Sequence, residues 1–230
     1  MVMRITEQDR ARVRRAIEEA EQDTSGEIFC VIAQRVSAYR EVGLAWAAAA
    51  AMILPLLLVP LGFSPAWLPG YSDGWQAAQL AAAPANTALT LAAYGLVQIC
   101  VFVVVFLAHE LPLVRRWTTP AGIRRHRVRK AAVHQFLAHG IHATSTRTGV
   151  LIFCALEEHR VEVVADEGIR SQVPPETWGQ VAAVLIREMK ARRPIEGFEK
   201  AIALCGEILE PHFPPAADNP NELSDRLVEL

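Results

Sequence analysis

Residues 89–108 read LTLAAYGLVQICVFVVVFLA, a largely apolar run that contains no charged side chain. At 1.5 Å per residue, a helix of about 20 residues crosses the roughly 30 Å of hydrocarbon in a bilayer. Only a helix satisfies the hydrogen-bonding groups of its own backbone over that distance. This stretch therefore predicts a membrane-spanning helix.

A second apolar run precedes it at about residues 44–63, where Pro55 and Pro60 should kink the span or shorten its regular part. Between positions 42 and 108 the only charged side chain is Asp73. The alternative is a hairpin of helices buried in a soluble domain. A chain of 230 residues offers too little other surface to cover two such helices, so we expect a transmembrane helical hairpin that contacts the lipid bilayer.

The distribution of basic residues predicts the orientation of this hairpin. The connecting loop, residues 64–88, has no Lys or Arg, whereas many basic residues follow the second span: Arg115, Arg116, Arg124, Arg125, Arg127, Arg129 and Lys130. The positive-inside rule then predicts a multi-pass membrane protein with both termini in the cytoplasm. The basic run either attracts anionic lipid headgroups or is a plain stop-transfer flank. The polar first 20 residues predict no cleavable signal peptide.

Several single residues bear on the membrane interpretation. Gln98 lies within the second span and either bonds to the partner helix or is a tolerated polar residue. Aromatic residues lie near the predicted membrane boundaries, where such rings are common: Trp46, Trp67, Tyr71, Trp75 and Trp117.

The four cysteines, Cys30, Cys100, Cys154 and Cys205, have no CxxC spacing, and we expect all of them to be reduced and buried. The net charge of −2 argues against a nucleic-acid partner.

The remaining segments predict one soluble α/β domain. Residues 28–33 and 149–156 read as strands buried on both faces, and residues 159–165 as a third strand antiparallel to the second. The first strand has no partner in its own segment and must pair with the later ones. We therefore expect a small mixed sheet flanked by helices, built from residues 1–40 and 115–212 around an inserted hairpin at 41–114. Residues 213–230 are predicted to be a flexible tail.

Four stretches resemble the TPM domain family, which includes a thylakoid-lumen phosphatase-like protein and a photosystem II repair factor. They are Thr24-Ser25-Gly26-Glu27-Ile28, residues 139–149 (HGIHATSTRTG), Thr148-Gly149-Val150-Leu151-Ile152 and residues 164–169 (VADEGI). The second of these is similar to the bacterial branch, which implies that the predicted spans lie in a bacterial inner membrane. The resemblance implies an α/β sandwich, and either acid phosphatase activity with a divalent ion at acidic residues or a role in the assembly and repair of membrane complexes.

The candidate site residues are acidic and lie at strand ends. Asp166 follows a strand and precedes Gly168, and Glu27 enters the neighbouring strand. Asp166, Glu167 and Glu27 together offer oxygen ligands for Ca²⁺ or Mg²⁺, although no cofactor is certain. The alternatives are that Asp166 caps the following turn and that Glu27 is a solvated strand start.

The predicted catalytic residues are Asp166 and Arg147. The guanidinium of Arg147 can clamp a phosphate in bidentate fashion. Alternatively it pairs with an acid such as Glu27 or Asp166. The surrounding hydroxyls, Thr144, Ser145, Thr146 and Thr148, either help bind an anion or satisfy their own backbone. His134, His139 and His142 have poor spacing for zinc ligands on a helix.

Two functions remain open from the sequence. The first is a membrane-anchored interaction module for the assembly or maintenance of another membrane protein. The alternative is a divalent-metal-assisted acid phosphatase with Asp166 and Glu27 near the ion and Arg147 on the phosphate. The sequence determines neither the oligomeric state nor the identity of the partner.

Overall fold

The structure is a computed structural model that describes residues 5–58, 84–215 and 220–230. The chain divides into two compact units. Residues 1–38 and 121–230 form the α/β unit, and residues 39–120 form the hairpin unit. The predicted loop aromatics Trp67, Tyr71 and Trp75, and the predicted span end at residues 59–63, lie outside the described residues.

The α/β unit begins with helix α1, Glu7–Glu21. Thr6 caps it: its hydroxyl accepts a hydrogen bond from the Asp9 backbone amide at 3.2 Å, and the Asp9 carboxylate accepts one from the Thr6 amide in return. This capping box satisfies two backbone donors that a helix start leaves without partners. The buried face of α1 carries Val13 and Ile17, at helical spacing.

Four strands form one mixed sheet in the order β3-β2-β1-β4. Strand β1 (Glu27–Ala33) runs parallel to β2 (Gly149–Ala155) and to β4 (Leu227–Glu229), whereas β3 (Arg160–Ala165) is antiparallel to β2. Every side chain of β1 and β2 is buried. The predicted burial on both faces is confirmed, as is the predicted pairing across the inserted segment.

Helices cover both faces of the sheet, which produces two hydrophobic cores. Helix α5 (Ala121–Ala138) packs on one face through Val128, Ala132 and Phe136. The other face is covered by α1, by α7 (Trp178–Lys190) and by α8 (Pro194–Leu209). A short helix α6 (Glu167–Arg170) follows β3. The predicted α/β sandwich is confirmed.

The predicted flexible tail at residues 213–230 needs a correction, because its last residues form strand β4. Leu227 is buried beside β1, the Leu230 amide donates to the carbonyl of Ile32, and the Gln34 amide donates to the carbonyl of Leu230, both at 3.0 Å. The open edge of β1 offers backbone partners that the sequence of the tail does not reveal.

The hairpin unit contains α2 (Arg40–Leu58), α3 (Pro84–Glu110) and α4 (Pro112–Thr118). The start of α2 lies beside the end of α3, since Nε of Arg40 and Oε1 of Glu110 are 3.8 Å apart. The Trp46 indole on α2 also donates to the carbonyl of Thr118 on α4 at 3.1 Å. The two long helices are therefore antiparallel. Both are long and apolar enough to cross a membrane, by length and composition.

Small residues on α2 let these helices approach closely. Gly43, Ala47, Ala51 and Pro55 are buried and recur every four residues, so they lie on one face. A Cβ atom on Gly43 would lie 2.7 Å from Nδ1 of His109. Such seams of small residues are typical of helix pairs in membranes. Cys100 corrects another expectation: it is exposed on α3, whereas the other three cysteines are buried.

Candidate functional site at the amino edge of the sheet

The predicted site residues meet where β1 and β2 begin and β3 ends, a region we call the amino edge (residues 25–27, 144–149 and 166–168). Glu27 pairs with Gly149, and the Asp166 amide donates to the Gly149 carbonyl at 2.9 Å. Glu27, Gly149 and Asp166 thus form one row across three strands. Two strand spacings of about 4.8 Å separate the two acids along that row.

Ile141 fills the space above the middle of this row. A Cβ atom on Gly149 would lie 2.4 Å from the Ile141 carbonyl oxygen and 2.5 Å from its Cγ2 atom. Glycine at this position therefore lets the turn that contains Ile141 rest directly on the sheet. This packing lies over the middle of the row whose two ends are Glu27 and Asp166.

Asp166 caps helix α6. Its Oδ1 atom accepts a hydrogen bond from the Glu167 amide at 2.7 Å, and only 6% of the residue is exposed. Its Oδ2 atom is buried and has no hydrogen-bond partner among the described residues. The capping role that the sequence left open is therefore present, and one carboxylate oxygen stays available for a ligand.

Arg147 pairs with Glu167 rather than with Glu27 or Asp166. Its Nη1 atom lies 3.5 Å from Oε2 of Glu167, and both side chains are largely exposed, so the pair contributes little to stability. Arg147 has a positive φ of 53°. The carbonyls of Thr146 and Arg147 lie 2.9 and 2.6 Å from where a Cβ atom of Gly168 would be. The Arg147 loop is therefore packed tightly against α6.

The threonine hydroxyls of this loop bond within the protein. Thr148 donates to the Ser25 carbonyl at 3.0 Å, and the Thr148 amide donates to the Thr144 hydroxyl at 3.2 Å. The Thr146 and Thr148 hydroxyls lie 2.7 Å apart. Of the two alternatives from the sequence, these contacts favour the structural one, because hydroxyls that bond to nearby backbone are poorly placed to bind an anion.

The C-terminal segment, residues 220–226, covers Glu27, which the sequence did not indicate. The Leu223 amide donates to Oε2 of Glu27 at 3.1 Å, and the Ser145 amide donates to Oε2 of Glu222 at 2.8 Å. Glu27 is only 5% exposed. Burial raises the pKa of its carboxyl above the ordinary value, and the backbone hydrogen bonds from Leu223 and Glu222 oppose that shift.

Glu21 is a further acid near this edge that sequence reasoning missed. Its Oε1 atom accepts a hydrogen bond from the Ile28 amide at 2.7 Å. Burial raises the pKa of Glu21 to about 8, and the charges of Glu27 and Asp225 add to the effect. One signal could have found it: Glu21 comes four residues after Ile17 and therefore shares the buried face of α1.

The three predicted metal ligands are not gathered into one site. Glu167 is exposed and pairs with Arg147, whereas Glu27 accepts from the Leu223 amide and Asp166 caps α6. Within residues 5–58, 84–215 and 220–230, no group of three or more His, Cys, Asp or Glu side chains is placed to hold a metal ion. As arranged here, the residues do not fit the six to eight oxygen ligands that Ca²⁺ takes.

Known proteins resemble this chain in part of its sequence and in its fold. A family model described as TPM domain matches residues 118–208, which include Arg147, Asp166 and Glu167 but not Glu27. No curated protein matches the sequence. The NMR structure of the BA42 protein from the psychrophilic bacterium Bizionia argentinensis is similar in fold. It has a TM-score of 0.56 and 16% identity over 100% of this chain and 97% of that chain. The resemblance of this chain to the TPM domain family is thereby confirmed, in sequence over residues 118–208 and in fold.

Proposed function

We propose that this protein is a membrane-anchored TPM-type module that binds other membrane proteins during their assembly or maintenance. The single observation that carries the proposal is the apolar outer surface of the hairpin unit. Only 28% of the apolar stretch of α2 and 6% of that of α3 is buried. The amino edge of the α/β unit supplies the polar surface for a partner.

The exposed side chains of the hairpin unit are those that a bilayer would cover. They include large apolar residues along both helices: Leu44, Met52, Ile53, Leu54, Leu56, Leu57, Leu96, Ile99, Val103, Val104 and Leu107. Soluble monomers rarely expose contiguous apolar patches beyond a few hundred Å². Because Lys and Arg are absent from the connecting loop and abundant after residue 114, the positive-inside rule favours cytoplasmic termini.

The two points where the hairpin joins the α/β unit support an insertion. The chain leaves after the carboxyl end of β1 and returns at the start of α5. These points are close together, since Arg127 on α5 donates to the Ser37 hydroxyl at 3.1 Å. Both therefore lie at one end of the sheet, and the amino edge lies at the other. The Arg147–Glu167 pair at the amino edge is exposed and offers two opposite charges to a partner.

A photo-cross-linking experiment tests the interaction role. We expect a photoreactive amino acid at Glu167 to give discrete adducts with integral membrane proteins in intact cells, because the side chain is exposed at the amino edge. Charge reversal by Arg147→Glu should reduce the yield about tenfold. A probe at Arg187, which is equally exposed on α7, is the matched control. Identical adducts from both positions, or adducts insensitive to Arg147→Glu, would contradict the proposal.

One observation favours the alternative function, a divalent-metal-assisted acid phosphatase: the buried Oδ2 atom of Asp166 without a described partner. We expect the Asp166→Asn variant to keep the cap on α6, since the amide oxygen still accepts from the Glu167 amide. The wild-type melting temperature in detergent is then measured against Ca²⁺ and Mg²⁺. An ion that binds only the folded state at 100 times its Kd stabilises by about 2.7 kcal/mol.

The two proposed functions predict different responses of the melting temperature to added Ca²⁺ or Mg²⁺. For the interaction module we expect no saturable rise in melting temperature with either ion, and the same curve for wild type and Asp166→Asn. A saturable rise in the wild type that Asp166→Asn abolishes would favour the phosphatase and would place the ion at Asp166.

A further inference from the structure

Gln98 is a polar side chain on the outer surface of an apolar helix. It is exposed on α3, and it makes no hydrogen bond to any residue that the structure describes. The sequence left open a bond from Gln98 to the neighbouring helix, but no described residue of α2 provides one. Its amide therefore has donors and an acceptor to offer to another molecule.

The position of Gln98 along α3 makes this amide costly to leave alone in a bilayer. Glu110, at the end of α3, is 12 residues away, which is about 18 Å along the helix. The other end, Pro84, is 14 residues away, or about 21 Å. If α3 spans a hydrocarbon core of about 30 Å, as the proposed function requires, Gln98 lies near its middle. An amide without a hydrogen-bond partner is disfavoured there.

The surroundings of Gln98 leave room for a second helix. Gly95 and Phe102 precede and follow it by three and four residues, so the three lie on one face of α3. We call them the amide face. Nothing lies within 4 Å of where a Cβ atom of Gly95 would be. Phe102 stacks on Phe106 with ring centroids 6.3 Å apart. Glycine beside a polar side chain permits close backbone approach and an interhelical hydrogen bond.

We propose that the amide face binds the same face of a second copy of this chain, so that the protein forms a two-fold symmetric dimer in the membrane. A primary amide is both donor and acceptor. Two Gln98 side chains related by a two-fold axis can therefore each donate to the carbonyl oxygen of the other. The amide is thus self-complementary, and an identical copy satisfies it without any further polar residue.

The test measures dimerisation of the full chain in vesicles of zwitterionic lipid, by energy transfer between labelled copies over a range of protein-to-lipid ratios. Gln98→Leu preserves side-chain size and apolar helix character, and we expect it to raise the dissociation constant about tenfold. Gln98→Asn, which keeps an amide, should retain most of the dimer. Adding Leu96→Gln to Gln98→Leu places the amide on the opposite side of α3 and should not restore dimerisation.

Three results would overturn the dimer: a wild type that is monomeric at every ratio, a Gln98→Leu variant that dimerises like the wild type, or recovery in the Leu96→Gln double variant. The same vesicles are extracted with alkaline carbonate. Protein that is extracted has failed to insert, which contradicts the proposed membrane anchor itself. Protein that stays in the membrane as a monomer contradicts the dimer alone.

Discussion

Replacing Gly149 with alanine is expected to lower the free energy of unfolding of the α/β unit by about 3 kcal/mol, at the upper end of the usual cost of overpacking. The added Cβ atom would lie 2.4 Å from the carbonyl oxygen of Ile141. Part of the obstacle is backbone, which no rotation of the Ile141 side chain can move aside. Gly149 also accepts from the Asp166 amide and pairs with Glu27, so a displaced β2 would disturb both neighbouring strands.

Urea unfolding of the full chain in detergent measures this effect, and Gly179 provides the matched control. Gly179 lies in α7 with nothing within 4 Å of where its Cβ atom would be. Gly179→Ala should stabilise the unit by about 0.5–1 kcal/mol, because alanine has the higher helix propensity. Replacing glycine with alanine is therefore expected to lower the free energy of unfolding at position 149 and to raise it at position 179. A neutral Gly149→Ala variant would show that Ile141 does not rest on the strand.

Replacing Glu21 with glutamine is expected to remove a loss of stability that develops as the pH rises from about 4.5 to about 8. The folded pKa of Glu21, about 8, is above its ordinary value of 4.5. Stability from the neutral carboxyl is thus fully present below about pH 4.5 and is lost as the pH rises through 8. We expect Glu21→Gln to exceed the wild type by roughly 3 kcal/mol at high pH. Each unit of pKa shift is worth about 1.4 kcal/mol, and partial contact with water reduces the total.

The experiment compares unfolding free energies of wild type and Glu21→Gln across that pH range. Glutamine keeps an oxygen that accepts from the Ile28 amide, so the two proteins should be equally stable at the acidic end. Glu19→Gln is the control, because Glu19 is an exposed glutamate on the same helix. A constant difference between wild type and Glu21→Gln at all pH values would show that Glu21 does not titrate with the raised pKa.

The parts of the fold that the sequence predicted are those with long, regular patterns. Strands β1 and β2 appear as unbroken apolar runs, because both faces of the sheet are covered by helices. The two helices of the hairpin were predictable because each apolar run is about 20 residues long and contains no charged side chain. Gly149 and Gly168 belong to the stretches that resemble the family, and the structure gives the physical reason for each: backbone carbonyls lie where a side chain would be.

The parts that the sequence did not predict depend on contacts between distant segments. Strand β4 has three residues, too few to show a period, and its partner Cys30 is almost 200 positions away from Leu227. The cover of Glu27 by Leu223 is equally remote along the chain. Within the site, the sequence predicted that Arg147 either clamps a phosphate or pairs with an acid such as Glu27 or Asp166. The pairing of Arg147 with Glu167 depends on how the loop packs on Gly168, which composition does not reveal.

Alkaline carbonate extraction of membranes from cells that express the full chain tests the central claim most directly. Carbonate releases peripheral proteins and leaves proteins with inserted helices in the pellet. Because α2 and α3 expose apolar side chains along most of their length, we expect the full chain to remain in the pellet. Release of the protein into the supernatant would contradict a membrane anchor and would mean that another protein covers the hairpin.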